Sequence, residues 1–389
     1  MHILMMPAYY PSPERRITGI FYHEQGLALK KAGYEIGVLV LPRIDVTRAY
    51  IKRVGLRSAK AVSREDYFTE FPVYRMHWGW FPRFAPMFVT RFLNQTGLAA
   101  FDHYCRLHGT PDIIHAHNIF YGGYLAAQIK RKYGIPVVLT EHSTSYMEGL
   151  IIFPGQPAII RNTLRGIDVR VAVSQALADA INVYDATSKI IPIGNMVDTR
   201  FFTPDPTARA QTFTFCAIGR LAEQKRYSLV LQAFSEQFKN TEVSLRIGGD
   251  GPLRQRLETE AAALGVQNQV VFLGQITREQ VRDELRRGHV HVSCSVVESF
   301  GVTLVESMAC GTPVIATRCG GPEGFVEPET GLLIPVNDVP ALGVAMRHLF
   351  DHYADYNPQT IRDLAESRFS EGAIVQQLDS IYRAVRERK

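Results

Sequence analysis

Glu298-Ser-Phe-Gly-Val-Thr-Leu-Val-Glu306-Ser-Met-Ala-Cys-Gly311-Thr-Pro313-Val-Ile-Ala-Thr317 sets two carboxylates on either side of a loop-to-helix junction, with seven residues between them. Gly301 opens a helical pattern in which Val302, Val305, Met308 and Ala309 share one face. Gly311 and Pro313 stop it, and the apolar run from Val314 to Thr317 continues as a strand. At roughly 100° per residue, Glu306 falls about 40° from Val302, on the rim of the apolar stripe. A carboxylate there needs polar partners, and sugar hydroxyls would serve. Glu298 lies just before the helix, whose first turn offers backbone N–H groups and the positive end of the dipole, a seat for phosphate. Two Glu at this spacing arise readily by chance. Their setting of loop, helix, Gly-x-Pro and strand is what reads as a site for a phosphorylated sugar.

A chain of 389 residues is too long for one core, so two domains are expected. Hydrophobic residues at 46% and charged residues at 21% describe an ordinary soluble protein. No apolar run is long enough to span a bilayer, and the start, Met-His-Ile-Leu-Met-Met-Pro, lacks the layout of a signal peptide, so a cytoplasmic location is expected. Five scattered cysteines without C-x-x-C spacing suggest neither a disulfide framework nor a zinc site. The charge is uneven. From Arg43 to Arg91 ten Lys and Arg stand against four Asp and Glu, more than the whole net excess of +5, and both tryptophans, Trp78 and Trp80, fall in the same segment. Basic side chains beside aromatics suit an anionic membrane surface or a phosphate-bearing acceptor, and equally a solvated helix beside core aromatics. Nucleic acid is not expected, because no recognised binding module accompanies the charge.

The first forty residues read as a βαβ unit: a strand over Ile3 to Met6, a Pro-rich loop to Thr18, a helix from Gly19 to Ala32 and a strand from Glu35 to Leu41. The loop carries Gly19 but no G-x-G-x-x-G, which argues against a dinucleotide fingerprint. Strands follow over Asp112 to His117, Pro136 to Thr140 and Val169 to Val173, implying a parallel sheet flanked by helices. The Pro- and Asp-rich run from Asn195 to Thr207 reads as a linker. Alternation then restarts with strands over Thr212 to Gly219, Val243 to Gly248, Gln269 to Gly274 and Val290 to Ser295. The expected fold is α/β: two tandem Rossmann-like domains, 1–200 and 201–368, whose parallel sheets face across a cleft. A last helix over 369–389, apolar at Ile374, Leu378, Tyr382 and Val385, is expected to return to the first domain.

Several strand ends carry chemistry. After the strand ending at Gly219 come Arg220 and Lys225, a bidentate fork and a mobile point charge suited to a diphosphate leaving group. The turn Gly248-Gly249-Asp250-Gly251-Pro252 permits close backbone approach to a ligand or is simply a turn. Asp112-Ile-Ile-His115-Ala-His117 sets two histidines on one side of a strand, with His117 nearer its carboxyl end, and Glu141-His142-Ser143 ends the next strand in a similar way. His115, His117, Glu141 and His142 also allow a zinc or iron hydrolase site, while a satisfied core histidine is the plain reading of His115.

Taken together, these motifs resemble the retaining glycosyltransferases of family 4, with the GT-B fold. The resemblance rests on Glu298-x7-Glu306 with Met-Ala-Cys-Gly-Thr-Pro, Gly219-Arg220 with Lys225, Gly248-Gly-Asp-Gly-Pro-Leu-Arg254, Asp112-x-x-His-x-His117, and Val173-Ser174 with Asn195-x-Val-Asp198. It covers nearly the whole chain. By that resemblance Glu298 holds hydroxyls of the transferred sugar, Glu306 the ribose, and Arg220 and Lys225 the diphosphate, helped by the backbone of Gly301 and Val302. Gly249 would join the donor-binding set, Gly19 would bring the first loop to the phosphate, and His117 would contact the sugar near the reacting centre. The chain has Thr18-Gly19 where two adjacent glycines are frequent. The resemblance implies no metal and no cofactor beyond a nucleotide-sugar donor, with UDP ahead of GDP. The implied acceptor is a glycan or lipid-linked saccharide in cell-surface polysaccharide synthesis, met in the cytoplasm or at the inner membrane face. A sugar-nucleotide epimerase or hydrolase, the His-x-His metal hydrolase and a non-catalytic binding module remain the rival readings.

Overall fold

Strand β1 (His2–Met6) is buried along its whole length, as a strand covered by helices on both faces must be. The computed structural model describes residues 1–13, 15, 18–41, 62–76, 90, 93–150 and 155–387. Around β1 lie β2 (Glu35–Val40), β3 (Val62–Glu65), β4 (Val73–Met76), β5 (Ile113–His117), β6 (Val137–Glu141), β7 (Val169–Ala172) and β8 (Ile190–Pro192). The sheet order is β3-β4-β2-β1-β5-β6-β7-β8, parallel except for the antiparallel β3–β4 pair at one edge. Helices α1 (Ile20–Lys31), α2 (Leu98–His108), α3 (Tyr124–Tyr133), α4 (Gln156–Arg165) and α5 (Gln175–Asn182) connect the strands. The chain begins in the middle of the sheet, moves toward β2, and then returns to β5 on the far side of β1. Loops leaving the carboxyl ends of β1 and β5 therefore run to opposite faces and leave a crevice between them.

A second sheet repeats the arrangement with β9 (Thr214–Ile218), β10 (Ser244–Gly248), β11 (Val270–Gly274), β12 (Val290–Ser293), β13 (Val314–Thr317) and β14 (Gly331–Ile334). Its order is β11-β10-β9-β12-β13-β14, parallel throughout, with the reversal between β9 and β12. The helices here are α6 (Tyr227–Phe238), α7 (Arg254–Leu264), α8 (Arg278–Arg287), α9 (Val302–Ala309), α10 (Val339–Asp351) and α11 (Pro358–Phe369). Local signals set their starts. Thr277 and Gln280 close a capping box on α8, and Asn357 caps α11 ahead of Pro358. Phe215, Ile247, Val292 and Ile315 from alternate strand positions meet Leu231, Phe234 and Met346 of α6 and α10 in a dry core. Each such side chain contributes roughly 1.5–3 kcal/mol.

The chain divides into two compact units: Met1–Val173, Leu177–Ile193 and Val375–Lys389 form one, and Ser174–Ala176 with Gly194–Ile374 the other. The last helix, α12 (Glu371–Arg386), thus joins the first unit from Val375 onward, burying Leu378, Tyr382 and Val385. The Pro-rich run 195–207 has a fixed seat in the second unit. Phe202 is 1% exposed, the Val197 N–H donates to the Phe369 carbonyl at 2.8 Å, and Arg362 donates to the Thr199 and Phe202 carbonyls. Of the basic segment Arg43–Arg91, only residues 62–76 and 90 are described, so Trp78, Trp80 and most of its cations lie outside the described residues. Within it, Arg75 pairs with Glu65 across β3 and β4. Among the described residues no helix is long and apolar enough to cross a membrane.

Candidate functional site

Four carboxyl ends of the second sheet, those of β10, β9, β12 and β13, gather Gly249, Arg220 with Lys225, Glu298 and the Cys319–Gly321 turn along one edge. Glu298 is fixed by its backbone. Its N–H donates to the Cys319 carbonyl at 3.1 Å, and its own carbonyl accepts from the Gly321 N–H at 2.8 Å. Its side chain pairs with Lys225 Nζ and accepts from Ser295 Oγ at 2.8 Å. Lys225 ends a short 3-10 turn after β9, and Glu298 follows β12, so this ion pair bridges the reversal point of the sheet. The two side chains are 24% and 16% exposed, covered enough to hold a geometry yet open to a ligand. Arg220, one residue past Gly219, is exposed.

Gly301 takes a left-handed conformation and caps α9, which begins at Val302. In that first turn the Leu304 N–H donates back to the Gly301 carbonyl at 3.0 Å, while the N–H groups ahead of it have no earlier helical carbonyl to reach, as at any helix start. Glu306 lies half-buried one turn further along. Gly249 serves the frame. A Cβ there would sit 1.9 Å from the Gly219 carbonyl oxygen, and its φ of 128° is closed to other residues, so it lets the β10 turn close against the turn that carries Arg220.

In the first unit, Gly19 is the left-handed cap of α1 after β1, and His117 is the last residue of β5, so the two flank that sheet's crevice. His117 is fully buried. Its ring stacks on His115 at 4.4 Å, meets Tyr22 at 4.6 Å, and sets Nδ1 3.1 Å from His142 Nε2. Its Nε2 has no hydrogen-bond partner among the described residues. Burial, and then the neighbouring His115 and His142, hold its pKa well below the usual value, so it is neutral near pH 7. His115 is the satisfied core histidine: Nδ1 lies 2.6 Å from the Tyr382 hydroxyl and Nε2 2.8 Å from Thr140 Oγ1. With both its nitrogens engaged it offers nothing to a metal, and among the described residues no three His, Cys, Asp or Glu side chains converge as ligands.

Three side chains that bear on these sites had no role in the sequence reading. Ser295 holds Glu298, and Tyr22 donates to Asn118 Oδ1 at 3.1 Å beside His117. The only cue for Ser295 and Asn118 was adjacency to a residue already chosen.

Residues 19–201 match the family described as Glycosyltransferase Family 4, and residues 199–360 match glycosyl transferases group 1, so the two matches run across nearly the whole chain and include every residue named above as a candidate. The chain belongs to the group 1 glycosyltransferases of the GT-B type. The chain is 29% identical over 260 residues to the D-inositol 3-phosphate glycosyltransferase of Mycobacteroides abscessus, a match taking in 59% of this chain and 56% of that protein. It therefore aligns with little more than half the length of that relative. It is 26% identical to the phosphatidylinositol N-acetylglucosaminyltransferase gpi3 subunit of Schizosaccharomyces pombe, over 97% of this chain and 79% of the relative. Sucrose-phosphate synthase from Thermosynechococcus elongatus superposes with a TM-score of 0.78 at 21% identity over the full length of both chains, a likeness of fold.

Proposed function

We propose that this chain moves a hexose-type sugar from a nucleotide-sugar donor, UDP-linked ahead of GDP-linked, to a glycan or lipid-linked acceptor, with retention of anomeric configuration. The observation that supports this reading is the Lys225–Glu298 pair set across the reversal point between β9 and β12, with Arg220 in the same loop as Lys225 and α9 starting four residues after Glu298. Lys225 has three N–H donors, so it can keep Glu298 and still meet a diphosphate oxygen. As the sugar–phosphate bond breaks, negative charge builds on the departing diphosphate, and in this reading Arg220, Lys225 and the start of α9 stabilise it. A diphosphate oxygen takes the proton of the acceptor hydroxyl, whose oxygen bonds the anomeric carbon on the face that the leaving group vacates. No protein nucleophile and no metal enter the step. Glu298 orients the sugar hydroxyls and Glu306 the ribose. The relatives' names, with inositol 3-phosphate and phosphatidylinositol as acceptors, favour a polyol or lipid-linked acceptor over a simple alcohol.

The test has two stages. Thermal shift against a panel of nucleotides and sugar nucleotides should show stabilisation by one nucleotide diphosphate class, since a ligand of the native state stabilises it by mass action. Donor turnover should then persist in excess chelator and fall by about a hundredfold or more in Lys225→Ala. A folded Lys225→Ala protein at parental rate, or a product of inverted anomeric configuration, would refute the mechanism.

A further inference from the structure

The carboxylate of Glu141 is fully buried and faces four donors from two separate strand ends. From the end of β5, Asn118 Nδ2 donates to Oε1 at 2.9 Å and the Ile119 N–H to Oε2 at 2.6 Å. From the end of β6, the N–H groups of His142 and Ser143 both donate to Oε1 at 2.8 Å. The backbone it grips is unusual. Asn118 has φ of 68°, uncommon outside glycine, and it opens a π-helical turn over Asn118–Gly123, a geometry frequent at functional sites. His117 precedes Asn118 directly, and His142 follows Glu141 directly. The same carboxylate thus anchors the backbone of both members of the imidazole pair, while Asn118 passes the contact on to Tyr22 of α1. Burial pushes the Glu141 pKa up and the four donors pull it back, and donors alone around an acceptor call for the ionised form.

We propose that Glu141 is a positioning residue: it clamps the carboxyl ends of β5 and β6 together and so holds the His117–His142 pair in register at the first unit's crevice. The kinetic part of this inference rests on the transferase reading above; the geometric part does not. Glu141→Gln isolates the clamp. An amide oxygen in place of Oε1 keeps three of the donors, but its NH2 then opposes the Ile119 N–H. Asn118→Gly keeps the left-handed backbone and removes the side-chain link.

The parent, both single variants and the double variant are compared by thermal midpoint, by kcat and KM for donor turnover, and by the ring-nitrogen NMR shifts of His117 and His142 in histidine-labelled protein. Each single variant should lower kcat about 10–100-fold, the scale of a displacement near 1 Å, with KM changed less than about threefold. The double variant should be no worse than the poorer single, because both act through one contact. The ring shifts of both histidines should move in each variant. Parental kcat in folded Glu141→Gln, or losses that multiply in the double variant, overturn the clamp. If Glu141→Gln does not fold, Asn118→Gly decides: loss of kcat supports the clamp and parental kcat overturns it. If the parent turns over no donor, the transferase reading fails and the ring shifts alone judge the clamp, unchanged shifts overturning it.

Discussion

Ser295 offers a fine adjustment of Glu298. Its hydroxyl donates to the same Glu298 oxygen that Lys225 holds, so Ser295→Ala leaves the ion pair in place and removes one of two restraints on the carboxylate. Losing a bond worth about 1.5–3 kcal/mol to a charged acceptor, part of it recovered from water, should lower kcat by about 5–20-fold with little change in the thermal midpoint. Steady-state kinetics beside a melt will check it. Gly249→Ala should do the reverse. A methyl 1.9 Å from the Gly219 oxygen cannot be seated without moving a turn, and together with the positive φ this should cost at least about 1–3 kcal/mol in urea unfolding of the second unit. At this scale much was legible in sequence, because Glu298, Lys225 and Arg220 sit at fixed offsets from strand ends that hydrophobic pattern reveals. The role of Gly249 was not legible. A glycine needed to admit a ligand and one needed to admit a neighbouring turn look alike until the Gly219 carbonyl is seen against it.

Among the elements, β5 and β12 are notable for carrying imidazoles into dry interiors. On β12, His291 is fully buried with neither ring nitrogen hydrogen-bonded among the described residues; burial first, and then the charge of Lys225, lower its pKa to about 3. His115 on β5 is lowered to about 3, and His289, just before β12, to about 4, both chiefly by burial. Unfolded, each would titrate near 6.5. Between about pH 6.5 and 4 the unfolded chain therefore binds more protons than the folded one, so stability falls as pH falls, by up to about 1.4 kcal/mol per unit for each histidine. Urea unfolding at pH 7 and pH 5 should show this loss. His291→Leu should flatten the slope for the second unit while leaving its stability at pH 7 equal or higher, since it removes an unsatisfied polar ring; a slope unchanged in that variant would count against the assignment. The strands read from sequence fall where expected in both sheets. The reading named none of β3, β4, β8 and β14, which are only three or four residues long, nor α10 and α11, although Leu342, Ala345, Met346 and Leu349 recur along α10 at helical spacing. The π-turn after His117 was beyond reach for another reason: what holds it is a carboxylate twenty-three residues further along the chain.

At the level of the whole molecule, the sequence foretold two α/β halves and a last helix with one apolar face, and family membership bears out that fold. The stripe of Ile374, Leu378, Tyr382 and Val385 by itself fits any apolar groove, and the expectation that this helix returns to the first domain came from the two-domain layout, not from the stripe. Its placement has an energetic consequence. Leu378, Tyr382 and Val385 are buried in the first unit, and Tyr382 supplies the partner of His115 Nδ1. Deleting the chain beyond residue 370 should therefore remove roughly 5–9 kcal/mol of apolar burial, comparable to the whole stability of a domain. The truncated protein should lose the first unit's cooperative melt while its second unit still shows nucleotide-dependent stabilisation. Calorimetry with and without the nucleotide will read the two separately, and a first unit that melts as in the parent would show that α12 is dispensable.

That same return of the chain imposes an order of birth. The second unit is nearly one continuous stretch, Gly194–Ile374, whereas the first waits for segments on both sides of that stretch. During translation the second unit can finish while the first is still unsealed, with His115 lacking the Tyr382 hydroxyl until that residue has left the ribosome. Termination before Tyr382 thus leaves a nascent product with its second unit complete and its first unit open to chaperones and proteases.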